Sequence, residues 1–367
     1  MSQKKKKTVL RSTGEDACFA ASNSAHGFHS YYSDCFDREE IGRLFIIKGG
    51  PGTGKSRFMR EVSQCGEAHG WSSRMIYCSS DADSLDGVIL QKEGDAIALL
   101  DGTAPHVYEP KTPGVREELV NLGDFWSSER LRERRDEIRA QNEIKQRGYR
   151  MAYRYLSAYE AVHENLREKV TPYLREKAMA EYAKKLLREI PSEQAFQPQT
   201  ALIGSLGMKG EVQFDTYFQQ AKKLYLIEDH RGIAAVFMGE LYRLAAEKRL
   251  RVRVSRDPIL PDVIDGLFLT GSGVAFAVGQ WQDLDLPHRK ISMRRFMRTA
   301  ELRAIRETLR FDERMCDTMR NGALEQMEVI RRAHFELENI YTAAMDFDAK
   351  ENFTKKFCNQ LFDLQNS

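Results

Sequence analysis

The chain has 367 residues, of which 42% are apolar, so it is long enough to bury two cores of ordinary size. Its 56 Lys and Arg nearly balance its 54 Asp and Glu, which excludes the broad basic surface typical of nucleic-acid-binding proteins. The apolar runs are far shorter than a membrane span. We therefore expect a cytoplasmic protein without nucleic-acid or membrane partners.

The N-terminus carries a short basic run, Lys4 to Lys7, and we expect residues 1–17 to form a basic flexible tail. The six cysteines are widely spaced, with no CxxC pair and no histidines at zinc-ligand spacing. This usage is typical of reduced thiols that fill a core.

A glycine-rich loop follows the first strongly apolar strand pattern. Residues 43–48 are rich in β-formers and predict a buried strand, and the helical spacing of Phe58, Met59 and Val62 predicts a helix after the loop. The residues between them fit the pattern GxxxxGK[ST] in full and are Gly49, Gly50, Pro51, Gly52, Thr53, Gly54, Lys55 and Ser56.

Each residue type in this loop has a physical reason. Glycines allow positive φ, so that successive backbone N–H groups surround a phosphate at the N-terminus of a helix. Lys55 adds a mobile positive charge and a catalytic contact to the phosphates, and the Ser56 hydroxyl is suited to ligate Mg²⁺. The loop therefore predicts a site for a nucleoside triphosphate, with ATP and Mg²⁺ as the expected cofactors.

A second apolar strand pattern ends in a carboxylate. Residues 96–101 run from Ala96 to Asp101, the form in which many phosphate-loop enzymes hold magnesium, directly or through water. We expect Asp101 to be a metal-binding and catalytic residue beside Lys55.

The sequence also matches itself at a shift of about 180 residues. Leu44 to Ile47 align with Leu224 to Ile227, and Asp83 to Gly87 align with Asp262 to Gly266. These matches predict an α/β protein of two tandem P-loop NTPase-like domains built on parallel sheets. Their expected bounds are residues 18–200 and 201–367.

The loop is degenerate in the second copy, where Asp229 to Val236 take its place and Asp229 replaces a glycine. The positions of the lysine, the hydroxyl and the metal-binding carboxylate are occupied by Ala235, Val236 and Gln280. We expect this copy to be structural or regulatory.

Further candidates lie close to the loop in sequence. Asp81 is confined to the first copy and is either a second magnesium or water-orienting group or a solvated carboxylate at a strand end. His106 is a candidate base or γ-phosphate sensor, although His288 echoes it in the second copy. Asp83 and Asp86 recur in the second copy, which favours turn or cap roles for them.

Each copy ends in a helical pattern that predicts a long helical hairpin. In the first copy we expect a helix from Ser128 to about Val170, broken near Gly148 and stopped by Pro172, and a returning helix over residues 173–189. The second copy has matching patterns over residues 293–344 and 351–364.

The charged residues of these predicted helical hairpins, or arms, have two interpretations. A solvated helix face is the ordinary one, and a lid over the phosphates is the alternative for a cluster of five arginines. These are Arg130, Arg132, Arg134, Arg135 and Arg139.

With these motifs, the chain resembles a family of duplicated bacterial P-loop NTPases. The resemblance covers nearly the whole chain and lies in the loop, in residues 79–88 and in residues 101–114. It implies ATP binding at the loop and ATPase or nucleotide kinase activity, without naming a substrate. Members of the family keep an intact loop in the second copy, and this chain departs from them at Asp229 to Val236.

Three functions are compatible with these features. The first is an ATPase, or hydrolase, in which water attacks the γ-phosphate and the second copy senses the nucleotide or supplies an arginine such as Arg231. The second is a small-molecule or nucleotide kinase. The third is a nucleotide-gated scaffold whose helical arms bind a protein partner, in a monomer or an oligomer.

Overall fold

The computed structural model describes residues 8–10, 16–104, 107–279 and 287–363. Within these residues the chain is an α/β protein with two six-stranded sheets and several long helices. None of the described helices is both long and apolar enough to cross a lipid bilayer.

The first half of the chain carries all six strands of one large sheet and one of the two long helices, α4. Its strands are β1 (Thr8–Leu10), β2 (Asp16–Phe19), β3 (Ala21–Ser24), β4 (Gly27–Ser30), β5 (Ile41–Lys48), β6 (Ser72–Tyr77), β7 (Leu85–Lys92), β8 (Asp95–Asp101) and β9 (Glu117–Asn121). Its helices are α1 (Tyr32–Phe36), α2 (Lys55–Ala68), α3 (Ser128–Glu133), α4 (Arg135–Val170) and α5 (Glu176–Leu187).

The second half has the same kinds of element in a similar order. Its strands are β10 (Gln197–Thr200), β11 (Gly204–Gly207), β12 (Gly210–Phe214), β13 (Lys223–Glu228), β14 (Arg251–Arg256), β15 (Ile264–Leu269), β16 (Val274–Val278) and β17 (His288–Ser292). Its helices are α6 (Thr216–Gln220), α7 (Ile233–Glu247), α8 (Arg306–Ala344) and α9 (Phe347–Asp363).

The two large sheets share one topology. The first has the order β2-β6-β7-β8-β5-β9 and the second the order β10-β14-β15-β16-β13-β17. Numbered along the chain within each sheet, both orders read first, third, fourth, fifth, second and sixth. The second strand of each sheet, β5 or β13, is therefore an interior strand that leads into a loop and then a helix.

The prediction of parallel sheets is wrong, because both large sheets are mixed. Strand β7 runs antiparallel to β6 and to β8, and β15 runs antiparallel to β14 and to β16. The reason is local. Only Glu93 and Gly94 separate β7 from β8, with φ of 51° and 97°, and a two-residue turn of this kind joins antiparallel neighbours.

The sheets and helices form four layers. Residues on the inner faces of both sheets, such as Leu44 and Ile46 of β5 and Leu224 and Leu226 of β13, share one buried core. The alternate residues of β5, such as Phe45, pack on the outer side against α2 and α9. Strand β5 is thus buried on both faces, which explains its continuous apolar run.

The two long helices, α4 and α8, pack against each other. The predicted helical hairpin within each half is therefore not formed. The first arm breaks at Arg134 and not near Gly148, and the Ser127 side chain caps α3 by accepting from the backbone N–H of Arg130. A Cβ at Gly148 would lie 2.7 Å from the Ile330 side chain of α8. The glycine therefore marks a close helix contact, which the sequence alone does not distinguish from a break.

The two short terminal helices are exchanged between the halves. Helix α5 of the first half packs on α7 of the second, and α9 of the second packs on α2 of the first. Each outer helical layer therefore contains residues from both halves of the chain. This exchange brings the C-terminal end of α8 to the loop that follows β5.

Candidate functional site

The glycine loop (Gly49–Ser56) lies at the carboxyl edge of the first sheet. Strands β5 and β8 are parallel neighbours, and Ile47 is paired in register with Asp101. The loop leaves the end of β5 and leads directly into α2, so the predicted order of strand, loop and helix is confirmed. The parallel register brings Asp101 to the same edge as the loop.

The backbone of the loop is left-handed at two of its glycines. Gly52 and Gly54 have φ of 71° and 80°, and the Thr53 hydroxyl donates to the Gly50 carbonyl at 2.9 Å. Helix α2 begins at Lys55, and its N-cap residue, Gly54, has no side chain. No described side chain accepts from the backbone N–H groups of Lys55 or Ser56, so a ligand could accept from them.

Two polar side chains, those of Lys55 and Asp101, meet behind the loop. The Lys55 ammonium donates to the carbonyl oxygens of Gly49 and Gly50 at 2.9 and 2.8 Å, and it lies 3.6 Å from Oδ2 of Asp101. The exposed fractions of the Lys55 and Asp101 side chains are only 13% and 11%. Oδ1 of Asp101 accepts from the backbone N–H of Thr103, which fixes the carboxylate in place.

A cavity of about 350 Å³ opens in front of these groups. The loop forms one wall, and the segment after β6 and the end of β8 form two more. The fourth wall comes from distant parts of the chain: Lys145 and Tyr149 of α4, Met208 of the second half, His334 and Glu338 of α8, and Phe347 of α9.

Ser56 and Asp101 together form a donor set that fits a hard divalent cation. Both line the cavity, and the Ser56 hydroxyl oxygen accepts from the Leu85 N–H at 3.0 Å, which orients it. Among the described residues there is no cluster of three or more His, Cys, Asp or Glu side chains suited to a metal. Mg²⁺ does not need one, since it takes one or two protein oxygens and completes its shell with phosphate and water.

The other predicted site residues are placed as follows. Asp81 lines the cavity, but its carboxylate also accepts from the Ser84 hydroxyl at 2.9 Å within its own turn. Asp86 is buried at the cavity wall, and Asp83 pairs with Lys209. His106 and Gln280 lie outside the described residues.

The arginine cluster at the start of the first arm does not line this cavity, although the structure describes all five residues. Arg130 instead donates to the Ala343 carbonyl at 3.3 Å, and Arg134 pairs with Glu137. Arg231 is likewise engaged elsewhere, with Glu313 of α8 at 2.7 Å.

Helix α4 contributes a different cation, Lys145, which the sequence analysis missed. Its Nζ lies 3.2 Å from Nδ1 of His334, and Nε2 of His334 lies 3.4 Å from Oε1 of Glu338. Burial lowers the pKa of Lys145, and the Lys55 charge lowers it further against the opposing effects of Cys78 and Glu338. The available signal was helical spacing, because Lys145 and Tyr149, like His334 and Glu338, lie four residues apart.

The second loop (Asp229–Val236) has a similar backbone but carries its own anion. Gly232 has a φ of 84° and is the N-cap of α7. The Asp229 carboxylate accepts from the backbone N–H of Gly232 at 2.8 Å and of Ala234 at 2.7 Å. The amides of this loop are therefore occupied by a carboxylate of the same chain.

Replacing Asp229 by Ala is expected to destabilise the protein by about 1–2 kcal/mol, because two amide groups at a helix N-terminus lose their acceptor. Urea unfolding monitored by circular dichroism measures this change. The control Asp262→Ala removes an exposed carboxylate from the same half and should change stability by less than about 0.5 kcal/mol. Equal stability of the two variants would contradict the capping role.

No protein-family model, no curated protein and no solved structure matches this chain.

Proposed function

We propose that the chain is an ATP-binding P-loop NTPase that hydrolyses Mg-ATP in its N-terminal half. The observation that carries the proposal is the contrast between the two loops. The glycine loop leaves the amides at the start of α2 without a side-chain cap and places Lys55 and Asp101 beside them, whereas Asp229 occupies the amides of the second loop.

The proposal includes an origin of the two halves by duplication. The identical strand order of the two large sheets supports it, as does the equivalent place of each loop after β5 or β13. In this interpretation the second half is a degenerate P-loop domain with a structural or regulatory role.

The residues of the cavity have distinct roles in phosphoryl transfer. The loop amides and Lys55 bind and orient the β- and γ-phosphates and stabilise the charge that develops between them. Ser56 and Asp101 hold Mg²⁺, which neutralises phosphate charge when it is bound. The buried position of Lys55 and Asp101 strengthens these interactions, because water screens them little.

The charge of the cavity favours a nucleotide that arrives with its metal. Its described lining carries two lysines and four carboxylates, which are Asp81, Asp86, Asp101 and Glu338. A bare polyphosphate would meet this negative wall, whereas the two positive charges of Mg²⁺ offset it. We therefore expect binding to require the divalent cation.

We favour water over a metabolite as the acceptor, because the described lining forms one cavity in front of the loop, which the phosphates and Mg²⁺ would occupy. A kinase needs room for a second substrate beside the nucleotide. The ATPase is accordingly the function proposed here.

The test is phosphate release from Mg-ATP by the wild-type chain and by Asp101→Asn. We expect slow release without any added acceptor, and a loss of about 10- to 100-fold in the variant, since the neutral amide holds the metal less well. The control is Asp95→Asn, which changes an exposed aspartate at the other end of the same strand. Equal rates in all three proteins, or no release by the wild type, would contradict the proposal.

A further inference from the structure

Lys145 and its partners form a second polar cluster on the cavity wall that α4 and α8 contribute. The cluster joins α4 of the first half to α8 of the second, through the contact between Lys145 and His334. It lies far from the loop in sequence and belongs to no predicted motif.

The hydrogen-bond directions in the cluster follow from the chemistry of the groups. An ammonium group has three donors and no acceptor, so Nδ1 of His334 must accept from Lys145. The proton of the neutral imidazole then resides on Nε2, which faces Oε1 of Glu338 at 3.4 Å. His334 therefore positions the ammonium while using one of its three protons, and the other two remain for a ligand.

Lys55 and Lys145 both line the cavity. Burial lowers the pKa of Lys145 most, and the Lys55 charge adds to this lowering, while Cys78 and Glu338 oppose it. Two cations that face the same cavity become more stable when an anion lies between them. A phosphate that bridges the glycine loop and α4 would supply this anion.

We propose that Lys145, positioned by His334, binds the γ-phosphate and makes the cavity select nucleoside triphosphates over diphosphates, an inference which rests on the nucleotide binding proposed above. The loop amides and Lys55 hold the β-phosphate, which both ligands carry. The γ-phosphate is the only group that distinguishes them at this end of the nucleotide. A contact to it from α4 therefore changes affinity for one ligand and not for the other.

This contact also links the nucleotide to the packing of the two long helices. Lys145 lies on α4 and its partners His334 and Glu338 lie on α8, which also contacts the loop through the hydrogen bond from the Thr342 hydroxyl to the Gly52 carbonyl at 3.3 Å. Loss of the γ-phosphate would leave Lys145 bound only within the helix pair.

The experiment is calorimetric titration of the full chain with ADP and with a non-hydrolysable ATP analogue, both with Mg²⁺. In Lys145→Gln we expect affinity for the triphosphate to fall about tenfold or more, as for loss of a charged hydrogen bond, while affinity for ADP changes less than about twofold. Lys145→Arg should keep the preference for triphosphate. The control Arg147→Gln removes an exposed charge from the same helix and should leave both affinities unchanged.

The outcomes separate the two proposals. If the wild type binds neither nucleotide, the proposed function fails. If the wild type binds both but Lys145→Gln weakens both equally or neither, the γ-phosphate contact is wrong. His334→Ala provides a second route should Lys145→Gln not fold: it is expected to reduce the preference for triphosphate, and an unchanged preference would overturn the positioning role.

Discussion

Replacing Lys55 by Ala is expected to reduce phosphate release from Mg-ATP by about a hundredfold or more, the usual loss when one donor is removed from a developing negative charge. The Lys55 ammonium is held by two loop carbonyls and by Asp101, and it lies in a largely buried position. No other lysine of the described cavity lies in the loop. Lys145 belongs to α4 and lies outside the loop, so we do not expect it to replace these contacts.

The matched control is Lys356→Ala, which removes an exposed lysine from α9. It should release phosphate at the wild-type rate. Circular dichroism and thermal melting of both variants check that the fold is kept. A Lys55→Ala protein that is folded and fully active would place the reaction elsewhere in the molecule.

The second large effect is expected for Gly52→Ala, which combines two unfavourable changes. The residue has a φ of 71°, and an added Cβ would lie 2.6 Å from the Glu338 carbonyl oxygen and 2.7 Å from the Thr342 hydroxyl. Because α8 packs directly on the loop, it must move to admit a methyl group. We expect a destabilisation of about 1–3 kcal/mol and a loss of Mg-ATP affinity.

Gly114→Ala separates the two causes. Gly114 has a φ of 76°, but nothing lies within 4 Å of an added Cβ, so the variant reports left-handed strain alone. Its expected effect is about 1–2 kcal/mol, with unchanged nucleotide affinity. If Gly52→Ala also keeps its affinity, the contact between α8 and the loop has no part in binding.

The loop and its flanking elements could be predicted from sequence because their signals are local. The apolar run of β5, the glycine pattern and the periodicity of α2 are adjacent in the chain, and Asp101 ends a strand that pairs beside β5. The degeneracy of the second loop (Asp229–Val236) could also be predicted in part from the sequence. Asp229 stood out where a glycine was expected, and the structure adds that its carboxylate bonds to the loop amides.

The fourth wall of the cavity could not be predicted in this way. Helical periodicity shows which face of α4 or α8 is apolar, but it does not show which half of the chain that face meets. The exchange of α5 and α9 between the halves depends on long-range packing for the same reason. From the sequence alone, Lys145 and His334 therefore cannot be distinguished from the other polar residues of these charged helices. Only the packing of α4 against α8 shows that they lie together at the cavity.

The mixed sheets were missed for a different reason. The turn at Glu93 and Gly94 is a local antiparallel signal, and its positive φ angles agree with it. The prediction of parallel sheets rests on the internal sequence matches and on the P-loop order of strand, loop and helix, neither of which fixes the direction of β7 or β15. Where a short turn and a fold-level expectation disagree, the turn decides the local strand direction.

The central claim is that Mg-ATP binds at the glycine loop and not at the second loop, whose amides bond to Asp229. The stoichiometry of Mg-ATP binding tests this claim most directly. Isothermal titration of the full-length protein with a non-hydrolysable ATP analogue should give one site per chain, lost in Lys55→Ala and kept in Asp229→Ala. Two sites per chain, or one site that survives Lys55→Ala and disappears in Asp229→Ala, would contradict it.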